Sequence, residues 1–467
     1  DTHLLLGHNI KFDYKFLLSN FGIRLRNVWD TMLAECVIHC GKIKPGYSLL
    51  HTAKRYLDID LNKDTRGSFS KLNSGEPYTT EQIEYGAKDV EYLIPIMKQQ
   101  ESIITDLDLN ELIVLENSAT LAFAEIEFNG MYLNQEAWRK LAIDAVGGTI
   151  DKEEELDNLI LNDSKLSKFK LPGIQKDMFG GKEREVDVKW SSFAQVKKVL
   201  QELDPTLEDT SVRELYKRRN QHPNMQNIPA KEEYRNCFEA SPGHKIITMD
   251  YSGQELRLIA QGSQDPVWLT AFKNGEDVHG KVASMVFDID ISKVKDKPEF
   301  SKGKSYRDAA AKEFINKYFS ALPKIKSFLT ALGNYGKKHG HIKTFAPYRR
   351  VRWFQDHKDL NNLDRKSKFQ RLGEIERASK NTPIQGSGAD MIKYALSLLF
   401  KKINNENLHD KVRLITQVHD EIGCEVKDDF VDDWVIIQRS IMMEAGKKIC
   451  KDVDMIVDHT VTNQWSK

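Results

Sequence analysis

The sequence predicts an α+β protein of several domains, on three observations. At 467 residues the chain exceeds one ordinary domain, and two to four is the expectation for that length. Residues 1–100 alternate short strand-like runs with helix-period runs. The second half sets long helical stretches beside strands that read as antiparallel, above all the pattern LITQVHDEIGCEV at 414–426. A hydrophobic content of 40% allows real cores, and 30% charged residues is ordinary for a globular protein.

The elements follow in order. The opening DTHLLLGHN reads like the end of a strand, so the chain is expected to begin inside a domain. A helix-period stretch at 111–128 stops at Asn129-Gly130, a helix-ending pair. Residues 135–170 read as charged helix, and the Gly/Lys/Glu-rich 171–190 as a loop. WSSFAQVKKVLQEL then starts a helix with Ser191 or Ser192 as N-cap. HKIITMD, 244–250, is a strand ending in Asp250, and 267 to about 403 is mostly helical. A hairpin at 412–426, a helix near 429–449 and a strand at 453–462 close the chain.

Several function classes recede. No apolar run reaches the 18 residues of a membrane span, and no basic–apolar–small leader opens the chain. A cytoplasmic protein without a membrane partner is expected. Cys36, Cys40, Cys237, Cys424 and Cys450 form no CxxC pair and read as reduced thiols. Lys+Arg and Asp+Glu balance at 69 each, yet basic residues cluster at 297–312 and 337–352. Two basic clusters around a helical stretch point to phosphate binding.

The carboxylates carry the chemistry. Asp250 ends an apolar strand and Glu255 follows at the start of a helical pattern. Asp420 and Glu421 sit at the turn of the 412–426 hairpin, with His419 before them. Bare carboxylates on strand tips repel one another, and hard divalent cations resolve this. Two such ions clamp an in-line phosphoryl displacement. A merely polar hairpin tip is the bland alternative, and the strongly apolar flanks weigh against it. Arg307 opens a helix at YRDAA, and Arg377, Asn381 and Gln385 fall four residues apart on one helical face. Such a face could read a minor groove or a template strand, or Asn-Thr-Pro at 381–383 could simply break the helix.

DYSGQELR, RASKNTPIQG and QVHDE, in that order, resemble motif A, the template-contacting helix and motif C of family A DNA polymerases, the relatives of bacterial DNA polymerase I and of many phage replicases. PNMQNIP at 223–229, DVH at 277–279, the 318–329 stretch and the thumb-like WSSFAQVKKVL also fit. GHNIKFD and YGAKD are similar to the second and third motifs of the proofreading 3′–5′ exonuclease. The resemblance implies a ribonuclease H-like α/β exonuclease domain followed by a right-hand polymerase. The implied parts are the exonuclease at 1–105 and a connecting helix and thumb at 106–222. A palm segment with motif A follows at 223–289, fingers and template helix at 290–390, and palm with motif C at 391–467.

The roles it implies are specific. Asp250 and Asp420 would bridge two Mg²⁺ ions, with the Tyr251 carbonyl completing the shell and Glu421 in support. His419 would contact the primer end, and Glu255 would be the steric gate against a ribose 2′-OH. Arg307 and His279 would hold the incoming triphosphate, while Arg377 and Gln385 touch template or primer and Asn381 supports them. In the exonuclease, Asp13 and Asp89 would bind Mg²⁺ or Mn²⁺ and Tyr85 would orient the attacking water. Asn9/Asp13 and Tyr85/Asp89 are both i,i+4 pairs, each expected on one helix face. The implied partners are primer–template DNA and dNTPs, with a processivity factor or replisome protein as a further candidate. A phage or viral replicase is expected. An exonuclease-dominant enzyme and a non-catalytic replisome DNA-binding protein descended from a polymerase are the competing readings.

The chain departs from the family pattern in three places. The exonuclease's Asp-x-Glu strand is not seen, YKRRNQHPNMQNIP skips several tens of residues, and position 311 is alanine where a lysine belongs. Ordered segments joined near 219–222 and 310–311 would explain the last two. Taken literally, such a chain should be a poor polymerase. Gly253-Gln254 also replaces the usual Gln-aliphatic pair, and TFAPYRRVR differs from the usual Gly-Arg-Arg form.

Overall fold

The computed structural model describes residues 3–42, 46–61, 64–73, 75–175, 184–190, 192, 195–196, 198–199, 202, 232–276, 278 and 319–466. Contacts divide the chain into two compact units, 1–130 with 241–462, and 131–240 with 463–467.

In the first unit, β1 (Leu5–Gly7) leads into α1 (Ile10–Phe21) and returns to the parallel strand β2 (Val28–Asp30). α2 (Thr31–Ile38) follows at once. The Asp30 carboxylate accepts from the amides of Met32 and Leu33 and also from those of Asn9 and Ile10. One buried side chain thus satisfies the starts of two helices. α3 (Leu49–Leu57), α4 (Thr80–Glu91), α5 (Leu93–Asp106) and α6 (Asn110–Asn129) complete this part. α4 opens on a capping box between Thr79 and Gln82. α6 stops at Gly130, whose φ of 62° suits glycine.

The second unit holds β3 (Tyr132–Leu133) and α7 (Gln135–Asn162), the latter capped by Asn134. The segment expected to be a loop instead begins with β4 (Lys170–Gln175) and returns through β5 (Arg184–Val186), an antiparallel pair. Val186 and Val188 explain the difference, since they bury against Ile160, Leu166 and Val199 in a small core of their own. Ser192 accepts from the amides of Gln195 and Val196 through its carbonyl. Ser191 lies outside the described residues. β6 (Phe238–Glu239) pairs with β3, and Phe238 packs edge-on against Trp138 and Trp465.

The first unit resumes with β7 (His244–Tyr251), α8 (Gln254–Ser263), α9 (Pro266–Lys273) and α10 (Pro323–His339). The expected helical run is then interrupted. Gly340 turns left-handed at φ 71°, and β8 (His341–Lys343) pairs with β9 (Val351–Trp353) as a hairpin. α11 (Arg365–Asn405) runs through Pro383 without ending there, so Asn-Thr-Pro is not a helix break. β10 (Val412–Val418), β11 (Glu421–Lys427), α12 (Val431–Ile449) and β12 (Val457–Thr462) finish the unit.

These strands form one antiparallel sheet in the order β10-β11-β7-β12. Its alternation gives two unlike faces. Ile247, Met249, Ile422, Cys424, Val426 and Leu414 belong to the main core, which also takes in Leu396 and Leu399 of α11 and Trp434 and Met442 of α12. The other face is small and polar. Thr248 and Thr460 share a hydroxyl hydrogen bond at 2.6 Å, and a Cβ at Gly423 would stand 2.4 Å from Thr416 Cγ2. Among the described residues no helix is long and apolar enough to cross a membrane.

Candidate functional site

Register builds the first site. Asp250 on β7 stands opposite Glu421 on β11 and opposite Asp458 on β12. Directly opposed residues share a face, so three carboxylates make a row across three strands. Glu421 is buried, Asp250 half-buried and Asp458 exposed. The β10–β11 turn consists of His419 and Asp420, so Glu421 is not a turn residue as expected but the first residue of β11. His419 takes a φ of 55°, uncommon for a residue with a side chain, and Gln417 Nε2 donates to its carbonyl at 2.6 Å. Like charges opposed across strands destabilise a sheet unless they are compensated.

Two helices lie beside the turn that carries Asp420. α8 begins at Gly253, left-handed at φ 62°. It lies against α11, where a Cβ at Gly388 would meet Gln254 Oε1 at 2.5 Å. A pocket of about 640 Å³ is lined by Gly253, Glu255, Gln385, Ala389, His419 and Asp420 among others. Three distant segments therefore converge. Arg377, Asn381 and Gln385 lie exposed on α11, and Asn381 Nδ2 donates to Gln385 Oε1 at 2.9 Å. The Tyr251 side chain is committed elsewhere. Its hydroxyl donates to the Met442 carbonyl at 2.6 Å in the core, and burial raises its pKa.

The second site is a cavity of about 630 Å³ whose lining includes Asn9, Phe12, Asp13, Tyr85, Asp89 and Val90. α1 supplies Asp13, and α4 supplies Tyr85 and Asp89 one turn apart. Asn9 differs from expectation. It precedes α1 in a left-handed conformation, φ 64°, so it does not share a helix face with Asp13. The double hydrogen bond from the Asn9 and Ile10 amides to Asp30 holds that turn. Burial raises the Asp13 pKa, a backbone hydrogen bond lowers it and the Asp30 charge raises it further. A carboxylate so placed gains from a cation.

Among the described residues no three His, Cys, Asp or Glu side chains enclose one point as a metal cage. Mg²⁺ does not need such a cage, since it binds through one or two carboxylates together with water and substrate phosphates. The hard oxygen donors of both sites fit that chemistry. His279 and Arg307 lie outside the described residues, as do 223–229 and both proposed joins. Sequence reasoning missed Asp30 and Asp458. VWDT at 28–31 was a readable cap signal for Asp30. For Asp458 there was none, because the β12–β7 pairing spans some two hundred residues.

The chain matches the family model DNA polymerase family A over residues 218–305 and 297–467. It belongs to that family. Residues 1–104 match a second model, 3′-5′ exonuclease. Among curated relatives, DNA polymerase I of Caldicellulosiruptor bescii is 34% identical over 267 residues, covering 52% of this chain and 30% of that protein. DNA polymerase I of Rhizobium leguminosarum is 24% identical across 100% of this chain and 51% of its own length. DNA polymerase I of Aquifex aeolicus is 26% identical over 99% of this chain and 88% of its own. The chain thus spans between about a third and a half of the first two relatives. The Rhizobium alignment runs 544 positions against 467 residues, so that relative carries segments with no counterpart here. A solved structure described as the POL domain of Pol1 from M. smegmatis in complex with DNA primer-template and dNTP shares the fold. Its TM-score is 0.70 at 23% identity, over 98% of this chain and 86% of that one. The family A fold, with the exonuclease part ahead of the polymerase part, agrees with the sequence expectation.

Proposed function

We propose that this chain is a DNA-templated DNA polymerase with 3′–5′ proofreading, extending a primer 3′-OH with dNTPs. The carrying observation is the Asp250–Glu421 cross-strand pair together with Asp420 on the adjoining turn, which lines a pocket with Glu255 and Gln385. The primer 3′-hydroxyl releases its proton to water, its oxygen forms a bond to the α-phosphorus, the bond from that phosphorus to the bridging β-phosphate oxygen breaks, and pyrophosphate leaves. Asp250, Asp420 and the Tyr251 carbonyl would hold two Mg²⁺ ions, which supply charge neutralisation when bound. Glu421 supports the row from its buried position. Glu255 excludes a ribose 2′-OH, His419 meets the primer end, and Arg377, Asn381 and Gln385 hold template or primer. Arg307 and His279 take the triphosphate. Most of the rate comes from positioning.

In the second cavity Asp13 and Asp89 would hold Mg²⁺ or Mn²⁺, and Tyr85 would orient the water that cleaves a 3′-terminal nucleotide. The domain partition at 105, 222, 289 and 390 goes with this reading, as does a cytoplasmic setting. A processivity factor or replisome protein is a further partner. A viral origin rests only on the sequence expectation, and the relatives above are bacterial. Ala311, where the family carries lysine, favours one second reading, an exonuclease-dominant enzyme.

Primer extension and 3′ degradation of single-stranded DNA test both. Asp420→Ala should abolish extension while DNA binding stays within a few fold, and Asp13→Ala should abolish degradation and spare extension. Full extension by Asp420→Ala would refute the assignment. Degradation without extension in the unaltered chain would leave the second reading.

A further inference from the structure

The α10–β8 corner gathers aromatic rings that neither site uses. Tyr335 and His339 lie one helical turn apart, with ring centroids 4.4 Å apart and planes inclined at 34°. Gly340 then ends the helix and delivers His341 as the first residue of β8. His341 is the register partner of Trp353. Its ring lies 5.2 Å from that indole and 5.5 Å from Tyr335, edge-on to the latter. Two of these rings stand clear of the core, whereas Trp353 packs against it and its Nε1 donates to the Ile38 carbonyl at 3.2 Å. Tyr335 is 41% exposed, His339 is exposed, and His341 and Trp353 are half-buried.

Cations surround them. Lys42 Nζ sits 5.3 Å over the Trp353 ring. Arg352, Lys338 and Lys358 are exposed. The nearby carboxylates are already engaged, Glu376 by Lys337 and Lys380 and Asp356 by Arg371. Residues 335–359 carry seven Lys and Arg against two Asp, in spite of the zero net charge of the whole chain. Burial first, then Lys42 and Arg55, push His39 down to about 4. Lys42 itself is lowered by burial and by Arg55 and Lys358, against the pull of Glu35. Arg352 Nη1 donates to Thr382 Oγ1 at 3.1 Å, so the patch adjoins the Arg377–Asn381–Gln385 face.

We propose that Tyr335, His339, His341 and Trp353, flanked by Lys42 and Arg352, form a stacking platform for the unpaired bases of single-stranded DNA. The exposed rings of Tyr335 and His339 accept any base, His341 and Trp353 back them, and the flanking cations take the phosphates. A duplex keeps its bases stacked on one another and offers no free face. The inference rests on the polymerase reading only in that its neighbour is the face assigned to template or primer. It is defined by binding, not by synthesis.

Ultraviolet cross-linking of the full chain to an oligo(dT) carrying 5-iododeoxyuridine, followed by peptide mapping, tests it. The cross-link is expected within 335–341 or at Trp353. The double variant Tyr335→Ala/His339→Ala alters exposed side chains, and an unchanged thermal unfolding midpoint checks that its fold is retained. It should weaken oligo(dT) binding about tenfold, as expected for one lost stacking contact. Blunt duplex binding should stay within about twofold. Arg352→Glu should also weaken oligo(dT) binding and flatten its salt dependence. Cross-links confined to other segments, or unchanged oligo(dT) affinity in both variants, would overturn the proposal. A chain that cross-links here but extends no primer keeps the platform and loses the polymerase reading. A chain that extends a primer without this cross-link loses only the platform.

Discussion

Glu116→Gln should remove roughly 3 kcal/mol of stability at neutral pH. Glu116 lies buried on α6, where Arg350 donates to it and Lys393 Nζ reaches both its oxygens at 2.7 and 2.9 Å. Burial alone would raise its pKa, but Arg350 and Lys393 outweigh burial and hold it at about 2, against an ordinary 4.5. That gap corresponds to roughly 3 kcal/mol of differential stabilisation of the charged form. Asp390, gripped by the same guanidinium at 3.0 Å from Nε, goes the other way, because burial outweighs Arg350 there. The net stabilisation therefore sits on Glu116. Its pKa is lower folded than unfolded, so the contribution is fully present above about 4.5 and is lost as pH falls through about 2. At pH 3 about 1.5 kcal/mol should remain by the same linkage. Urea unfolding of wild type and Glu116→Gln at pH 7 and pH 3 measures both values. A difference under about 0.5 kcal/mol at pH 7 would refute the reasoning, since breaking a buried pair costs several kcal/mol. So would a difference that does not shrink at pH 3.

Three further outcomes are expected. Asp30→Ala leaves four amides at two helix starts without their acceptor, and should cost about 2–4 kcal/mol in thermal or urea unfolding. Gly423→Ala pushes a methyl group against Thr416 in the middle of the main sheet, and should cost about 1–3 kcal/mol by the same measurement. Tyr251→Phe removes only the hydroxyl that meets the Met442 carbonyl. It should lose about 1 kcal/mol of stability and leave primer extension intact, because only the backbone of Tyr251 is assigned to the site.

What the sequence disclosed follows the range of its signals. Alternation of apolar residues is local, so β7 and the β10–β11 hairpin were readable, and with them Asp250 and Asp420. The turn was misplaced by one residue because His419 adopts a left-handed φ, which no spacing rule announces. β8 and β9 are three residues each, too short for a period-2 pattern to stand out within a helical stretch. The four-residue spacing placed Arg377, Asn381 and Gln385 on one face, and α11 preserves it through Pro383. The same spacing failed for Asn9 and Asp13, because Asp30 caps α1 from another element and holds Asn9 outside the helix.

Long-range register is the part no local signal carries, and it bears directly on the chemistry. Glu421 and Asp420 are neighbours in the chain but differ in setting, one buried in β11 and the other on the turn beside the pocket. Shifting β11 by one residue would move Glu421 to the core face, among Met249 and Leu414, where a carboxylate could not stay charged. The apolar run Ile247–Met249–Tyr251 against Ile422–Cys424–Val426 therefore fixes more than stability. By refusing the slipped register, it keeps Asp250 and Glu421 opposite each other on the polar face. The acidic row is a consequence of what the core excludes, so a core substitution such as Cys424→Ser should be tested for extension as well as for folding.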